Sequence, residues 1–106
     1  MDVITGNGIY NKIIHNNILD NGLRGVYIWG WCKYNTIAEN NIVGNKKYNA
    51  HFVIPDRSYN NTWNANYWGN WHIPVPKPIL GFIMGFGLPW LYFDMHPAME
   101  PYEIPQ

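Results

Sequence analysis

Charge is scarce in this chain, and sulfur chemistry is scarcer. Seven Lys and Arg balance seven Asp and Glu across 106 residues, so the formal net charge is zero. No basic face argues for a nucleic-acid partner. The single cysteine, Cys32, excludes an internal disulfide and offers no metal-cluster spacing. Met1-Asp2 opens no basic segment followed by an apolar one, so no signal peptide is read at this end. Paired acids are lacking too. Glycoside chemistry needs two carboxylates about 5–10 Å apart across a groove. Of Asp2, Asp20, Glu39, Asp56, Asp94, Glu100 and Glu103, only Asp20 and Glu39 fall in repeated segments, at different repeat positions. Long apolar runs at helical spacing are also missing. Apolar residues come in pairs or triplets such as Ile13-Ile14 and Ile18-Leu19, with Asn or Gly between them.

What the chain has is a repeat. Residues 10–21, YNKIIHNNILDN, align without a gap on residues 34–45, YNTIAENNIVGN, at a period of about 24. Periods of roughly 20–50 residues mark stacked-repeat architecture. Asn11, Ile13, Asn16, Ile18 and Asn21 recur as Asn35, Ile37, Asn40, Ile42 and Asn45. A third, altered copy at 61–68 puts Trp63 and Trp68 at the two isoleucine positions, after a longer corner around residues 55–58. Asn and Gly tolerate left-handed backbone and build tight corners. β-branched residues between such corners read as short strands. The expectation is an all-β coil of about two to three rungs, spaced about 4.8 Å like ordinary strands. Isoleucines then stack inward, Ile13 on Ile37 and Ile18 on Ile42. Amides stack as columns, Asn11 on Asn35, Asn16 on Asn40 and Asn21 on Asn45, each both donating and accepting. Trp63 and Trp68 are expected to plug the end of the bore.

This pattern, N-x-I-x-x-N-x-I/L-x-x-N closed by N-x-W-x-x-N-Y-W-G, resembles the right-handed parallel β-helix repeat family. It is most similar to the NosD-type branch of periplasmic copper-binding or copper-processing proteins. The resemblance covers residues 1–70 by repeat. It implies a right-handed solenoid and, from the company the family keeps, an extracellular, cell-surface or periplasmic location. Copper enters only through this resemblance. The fold hosts lyases, hydrolases and scaffolds alike, so it does not name an activity. Two full rungs are few for a continuous core, which predicts that residues 1–73 end a longer coil, with upstream rungs or self-association through an open coil end as partners. Residues 74–106 read as a Pro- and Gly-rich apolar cap.

Two stretches carry candidate sites. Residues 26–31, VYIWGW, alternate, placing Val26 and Ile28 inside and Tyr27, Trp29 and Trp31 outside. Such a row suits stacking on sugar rings, or else is covered by the protein. Residues 79–93 carry no charge and would be an aggregation hazard if exposed, so the tail is expected to cover apolar surface on the coil. Asp94, His96 and Met99 offer oxygen, imidazole and thioether to a metal, of which the soft thioether and the imidazole would suit Cu(I). A capped turn before Pro97 explains the same residues. The histidines form no column, since His15 aligns with Glu39 and His51 with Tyr27. Arg24 and Lys33 could meet an acidic sugar, but isolated surface cations explain them better. The leading expectation is a non-catalytic scaffold or carbohydrate-binding surface module. Copper handling is the alternative, and a polysaccharide lyase or hydrolase with its acids upstream is a third.

Overall fold

The isoleucine positions of the repeat become the centres of three-residue strands, and the Asn-rich positions become the corners between them. A computed structural model describes residues 3–6, 10–22, 24–30, 33–45, 48–54, 61–84 and 87–105, with side chains from residue 10 onward. Trp31, Cys32, Asp2, Asp56 and the corner at 55–58 lie outside the described residues. No helix occurs among the described ones. The first copy holds β1 (Val3–Gly6), β2 (Lys12–Ile14) and β3 (Asn17–Leu19). The second holds β4 (Arg24–Trp29), β5 (Thr36–Ala38) and β6 (Asn41–Val43). The third holds β7 (Tyr48–Ile54), β8 (Thr62–Asn64) and β9 (Tyr67–Trp68).

Equivalent strands pair in parallel, giving stacks β1–β4–β7, β2–β5–β8 and β3–β6–β9. The register sets Ile13 opposite Ile37 and Ile37 opposite Trp63. It likewise sets Ile18 opposite Ile42 and Ile42 opposite Trp68. These central side chains, with Val26, Ile28, Phe52, Ile54, Ile79 and Ile83, make one apolar cluster.

The chain then departs from a purely parallel arrangement. β10 (Lys77–Ile83) pairs in parallel with β7, and β11 (Leu88–Asp94) pairs in parallel with β8 through Asp94 and Trp63. β10 and β11 also pair with each other, antiparallel, from Lys77↔Asp94 to Ile83↔Leu88. The hairpin therefore welds two stacks into one mixed eight-stranded sheet, order β1-β4-β7-β10-β11-β8-β5-β2, which curls into a half barrel. The third stack stays a separate three-stranded sheet. The apolar tail is thus a continuation of the sheet built by residues 1–73. Gly81 sits opposite Phe52, and a Cβ there would fall 2.3 Å from the Phe52 ring, so only glycine lets that ring lie under the hairpin.

The corners share one device. Tyr10 and Tyr34, His15, Glu39 and Ala65, and Asp20 and Gly44 all take positive φ, between 53° and 68°. Each precedes an Asn of the repeat. At such a corner the backbone N–H loses its strand partner. The Asn one copy later restores it: Asn16 N–H donates to Asn40 Oδ1 at 2.9 Å, and Asn40 N–H donates to Asn66 Oδ1 at 3.1 Å. The same amides donate from Nδ2 to carbonyls of the preceding copy, as Asn40 does to Ile13 and Asn66 to Ile37. Left-handed backbone costs a non-glycine residue about 1–2 kcal/mol, and the buried hydrogen bonds of the following Asn offset it.

After β11 the chain turns across the stacks. Ala98 bridges Tyr67. Asn41 then clamps the backbone of Tyr102, accepting from its N–H and donating to its carbonyl, both at 2.8 Å. Asn17 Nδ2 donates to the Ile104 carbonyl at 2.8 Å. Residues 98–104 form a strap that visits the third, second and first copies in turn.

Candidate functional site

The outer side of β4 and β7 concentrates flat π systems. Val26 and Ile28 are fully buried, which turns Tyr27 and Trp29 outward; Tyr27 is half-buried and Trp29 is 42 % exposed. One strand over, Phe52 and Ile54 are buried and His51 takes the outer position opposite Tyr27. The Tyr27 and His51 rings stack with centroids 5.9 Å apart and planes at 23°. Tyr48 stacks on the His51 ring at 4.7 Å and 12°. The Arg24 guanidinium lies 4.0 Å from the centre of the Tyr27 ring, a distance suited to cation–π attraction. Arg24, Tyr27, His51 and Tyr48 thus make a continuous row, with Trp29 two residues beyond Tyr27. Trp31 lies outside the described residues. Rather than covering this face, the hairpin seats on the edges of β7 and β8.

Tyr48 also belongs to a second feature. It lines a cleft of about 480 Å³ with Gly44, Asn45, Asn49, Asn70 and Lys77. The cleft has a polar wall of amides already ordered among themselves: Asn45 Nδ2 donates to Asn49 Oδ1 at 3.0 Å, and Asn49 Nδ2 donates to Asn70 Oδ1 at 3.2 Å. The Lys77 ammonium donates to the Pro78 carbonyl at 2.8 Å and lies 5.0 and 5.7 Å from the Trp68 and Trp71 rings. Burial pulls the Lys77 pKa below its ordinary value, and the Asp94 carboxylate partly offsets this. Tyr48, Asn49, Asn70 and Lys77 were not singled out from sequence. Tyr48 could have been: it stands one period after Arg24, and the structure pairs the two.

The three residues read as candidate metal ligands separate by role. Asp94 is completely buried and its oxygens accept five hydrogen bonds. Oδ1 takes the N–H groups of Ala65 and His96, while Oδ2 takes both nitrogens of Asn66 and the Trp68 indole. A carboxylate has about four lone-pair sites, so Asp94 is committed. It stands where the next Asn of the column 16, 40, 66 would stand, and a carboxylate there accepts from every donor with no N–H of its own to place. His96 is exposed and its Nδ1 sits 3.1 Å from Asn64 Oδ1; Met99 is exposed. No three His, Cys, Asp or Glu side chains converge on a metal position among the described residues. Of the repeat acids, Glu39 pairs with His15 at 3.2 Å on the surface, and Asp20 lies against Gly44 at another corner.

The amide columns run as Asn11–Asn35–Asn61, Asn16–Asn40–Asn66 and Asn21–Asn45–Asn49. The chain matches no protein-family model, and comparison with curated proteins and with solved structures finds no significant match for it.

Proposed function

We propose that this chain is a short right-handed parallel β-helix closed at one end by the β10–β11 hairpin, and that it serves as a non-catalytic, carbohydrate-binding surface outside the cytoplasm. Three in-register parallel stacks and the amide columns at their corners support the architecture. The low charge and abundant Asn and aromatics suit an extracytoplasmic surface.

The observation that carries the function is the junction at Tyr48. There a row of stacked planes from Arg24 to Tyr48 meets a cleft walled by amides and the Lys77 side chain. Sugars present an apolar C–H face and a rim of hydroxyls. Aromatic planes complement the first; Asn amides, which both donate and accept, complement the second. A few convergent polar groups beside apolar walls are the usual make-up of a binding site. Asp94 is sequestered by its hydrogen bonds, and Asp20 and Glu39 occupy separate corners of the repeat.

Titration calorimetry against a panel of neutral and uronate-containing oligosaccharides tests the reading. Tyr48→Ala should weaken binding about tenfold, the worth of about 1–1.5 kcal/mol of ring contact, with Tyr27→Ala similar for longer oligomers and the far-UV dichroism unchanged. Binding that ignores both substitutions, or no binding across the panel at about millimolar sugar, sinks it.

A further inference from the structure

The β10–β11 hairpin has two faces, and only one is used by the fold. Ile79 and Ile83 point inward and are buried, with Gly81 over Phe52 and with Trp90 and Tyr92 packed on the same cluster. The opposite face presents Leu80, Phe82, Met84, Leu91 and Phe93, each between 39 and 51 % exposed, together with exposed Pro89. Leu80 pairs with Leu91 and Phe82 with Pro89 across the hairpin, so these side chains form one contiguous sheet face. Between Lys77 and Asp94 the sequence has no charged residue.

We infer that this outer hairpin face binds a second copy of this chain, packed face to face about a two-fold axis. Area comes first. At roughly 80 Å² exposed per large side chain, the six residues offer about 500 Å². Two such faces would hide about 1,000 Å² in all, the lower bound for a specific interface. A monomer's largest apolar patch is ordinarily about 300–600 Å² and is often functional, and this face is of that size. Shape comes next. Leu80, Pro89 and Leu91 line an apolar hollow in this face, while Phe82 and Phe93 are exposed beside it. A two-fold operation brings the phenylalanines of one copy to the hollow of the other, the self-complementarity an isologous contact requires. Chemistry excludes the nearest rival. A lipid-surface element carries Lys or Arg around its apolar face. Here the only cation at the hairpin, Lys77, is turned onto Trp68 and Trp71. An uncharged face with no basic rim fits another uncharged face.

Sedimentation velocity on the full chain reads the outcome. The wild type should pass from monomer to dimer with a Kd on the order of 10 μM, as suits an interface at the small end. Leu91→Glu should weaken the dimer at least tenfold, and Leu91→Ser should do so less. Mixing Leu91→Glu with Leu91→Lys should restore a mixed dimer. Hydrogen exchange on the wild type reads the same face without any substitution: amides of residues 80–84 and 88–93 should slow further on dimerisation while those of β2 and β3 do not. A wild type still monomeric at about 1 mM overturns the inference. So does a dimer that protects β2 and β3 instead, or one untouched by a folded Leu91→Glu. Binding to phosphatidylcholine vesicles by a chain that never dimerises overturns it as well, by assigning the face to lipid.

Discussion

Asn16 and Asn40 are the same residue of the same repeat, as are Ile13 and Ile37, yet the first copy and the second give them different lives. Asn40 is completely buried, with its oxygen on Asn16 and its own backbone N–H held by Asn66. Asn16 is exposed, and part of its amide turns back to the Ile14 carbonyl of its own copy. Ile37 is buried between Ile13 and Trp63, whereas Ile13 is only half-buried. The cause is position in the stack. Among the described residues β2 and β3 each have a neighbour on one side only, while the third copy is closed by the hairpin and by Asp94. A repeat residue therefore has no fixed energetic worth. What it contributes depends on whether its column continues.

The largest effect should come where a column is closed. Asp94→Ala leaves the N–H groups of Ala65 and Asn66 and the Trp68 indole buried without acceptors, and it should cost about 3–5 kcal/mol. In a domain this small such a loss consumes most of the stability. Urea melts followed by Trp emission read it directly. A loss under about 1 kcal/mol would mean that water replaces the carboxylate and that the closed end is not sealed.

The comparison itself is tested by a matched pair. Ile37→Ala should cost about 2–5 kcal/mol as a buried large-to-small change, and Ile13→Ala at least about 1 kcal/mol less. Equal losses would show that the edge of β2 is covered in solution, which the structure does not show. The amides offer a smaller version. Asn40→Ala removes a buried amide that donates to the Ile13 carbonyl and to Asn66 Oδ1 and accepts from the Asn16 N–H, and it should cost about 1–3 kcal/mol; Asn16→Ala, at a solvated corner, should cost under about 1. Thermal melts of the two variants side by side decide this. If the order reverses, exposure is the wrong guide to these columns.

The smallest effect concerns Lys77, beside the hairpin. Its folded pKa lies below the ordinary 10.5 because burial disfavours the ammonium. The unfolded chain thus binds the proton more tightly than the folded one, and stability rises with pH in the window beneath 10.5. Relative to Lys77→Met, the wild type should gain stability as the pH rises toward that value. Parallel denaturation curves for both proteins would show no divergence if the ammonium were in fact well solvated.

Much of the fold is legible because the repeat constrains it residue by residue. A gapless period puts Ile13 opposite Ile37, and the two-residue longer step puts Ile37 opposite Trp63; these are the pairs of β2, β5 and β8. The all-β class follows from the same pattern. The hairpin was not legible, because its pairing is decided by edges that β7 and β8 leave open and by the room that Gly81 leaves for Phe52. Neither is a local property of residues 77–94. Asp94 could have been read differently. Its place two residues beyond one more step of the column 16, 40, 66 marks it as the column's end, a more specific structural role than the capped turn before Pro97 that the local sequence suggests. The aromatic row was visible through Tyr27 and Trp29. Its extension through His51 to Tyr48, and on into the cleft, depends on cross-strand register that alternation alone does not supply.

The strap has a consequence for how this chain reaches its folded state. Asn41 holds Tyr102 across 61 residues of sequence, and Asn17 holds Ile104 across 87. Contacts so distant along the chain close late and slow the folding of the whole. The three copies could nucleate on one another as soon as they are made, but the splint that ties them crosswise emerges from synthesis only after all three. Folding should therefore finish with a distinct slow phase in which residues 98–104 lock. Until then each copy can fray independently. Once locked, opening any one of them must first peel the strap from the others, which turns a stack of weakly coupled layers into a single cooperative unit.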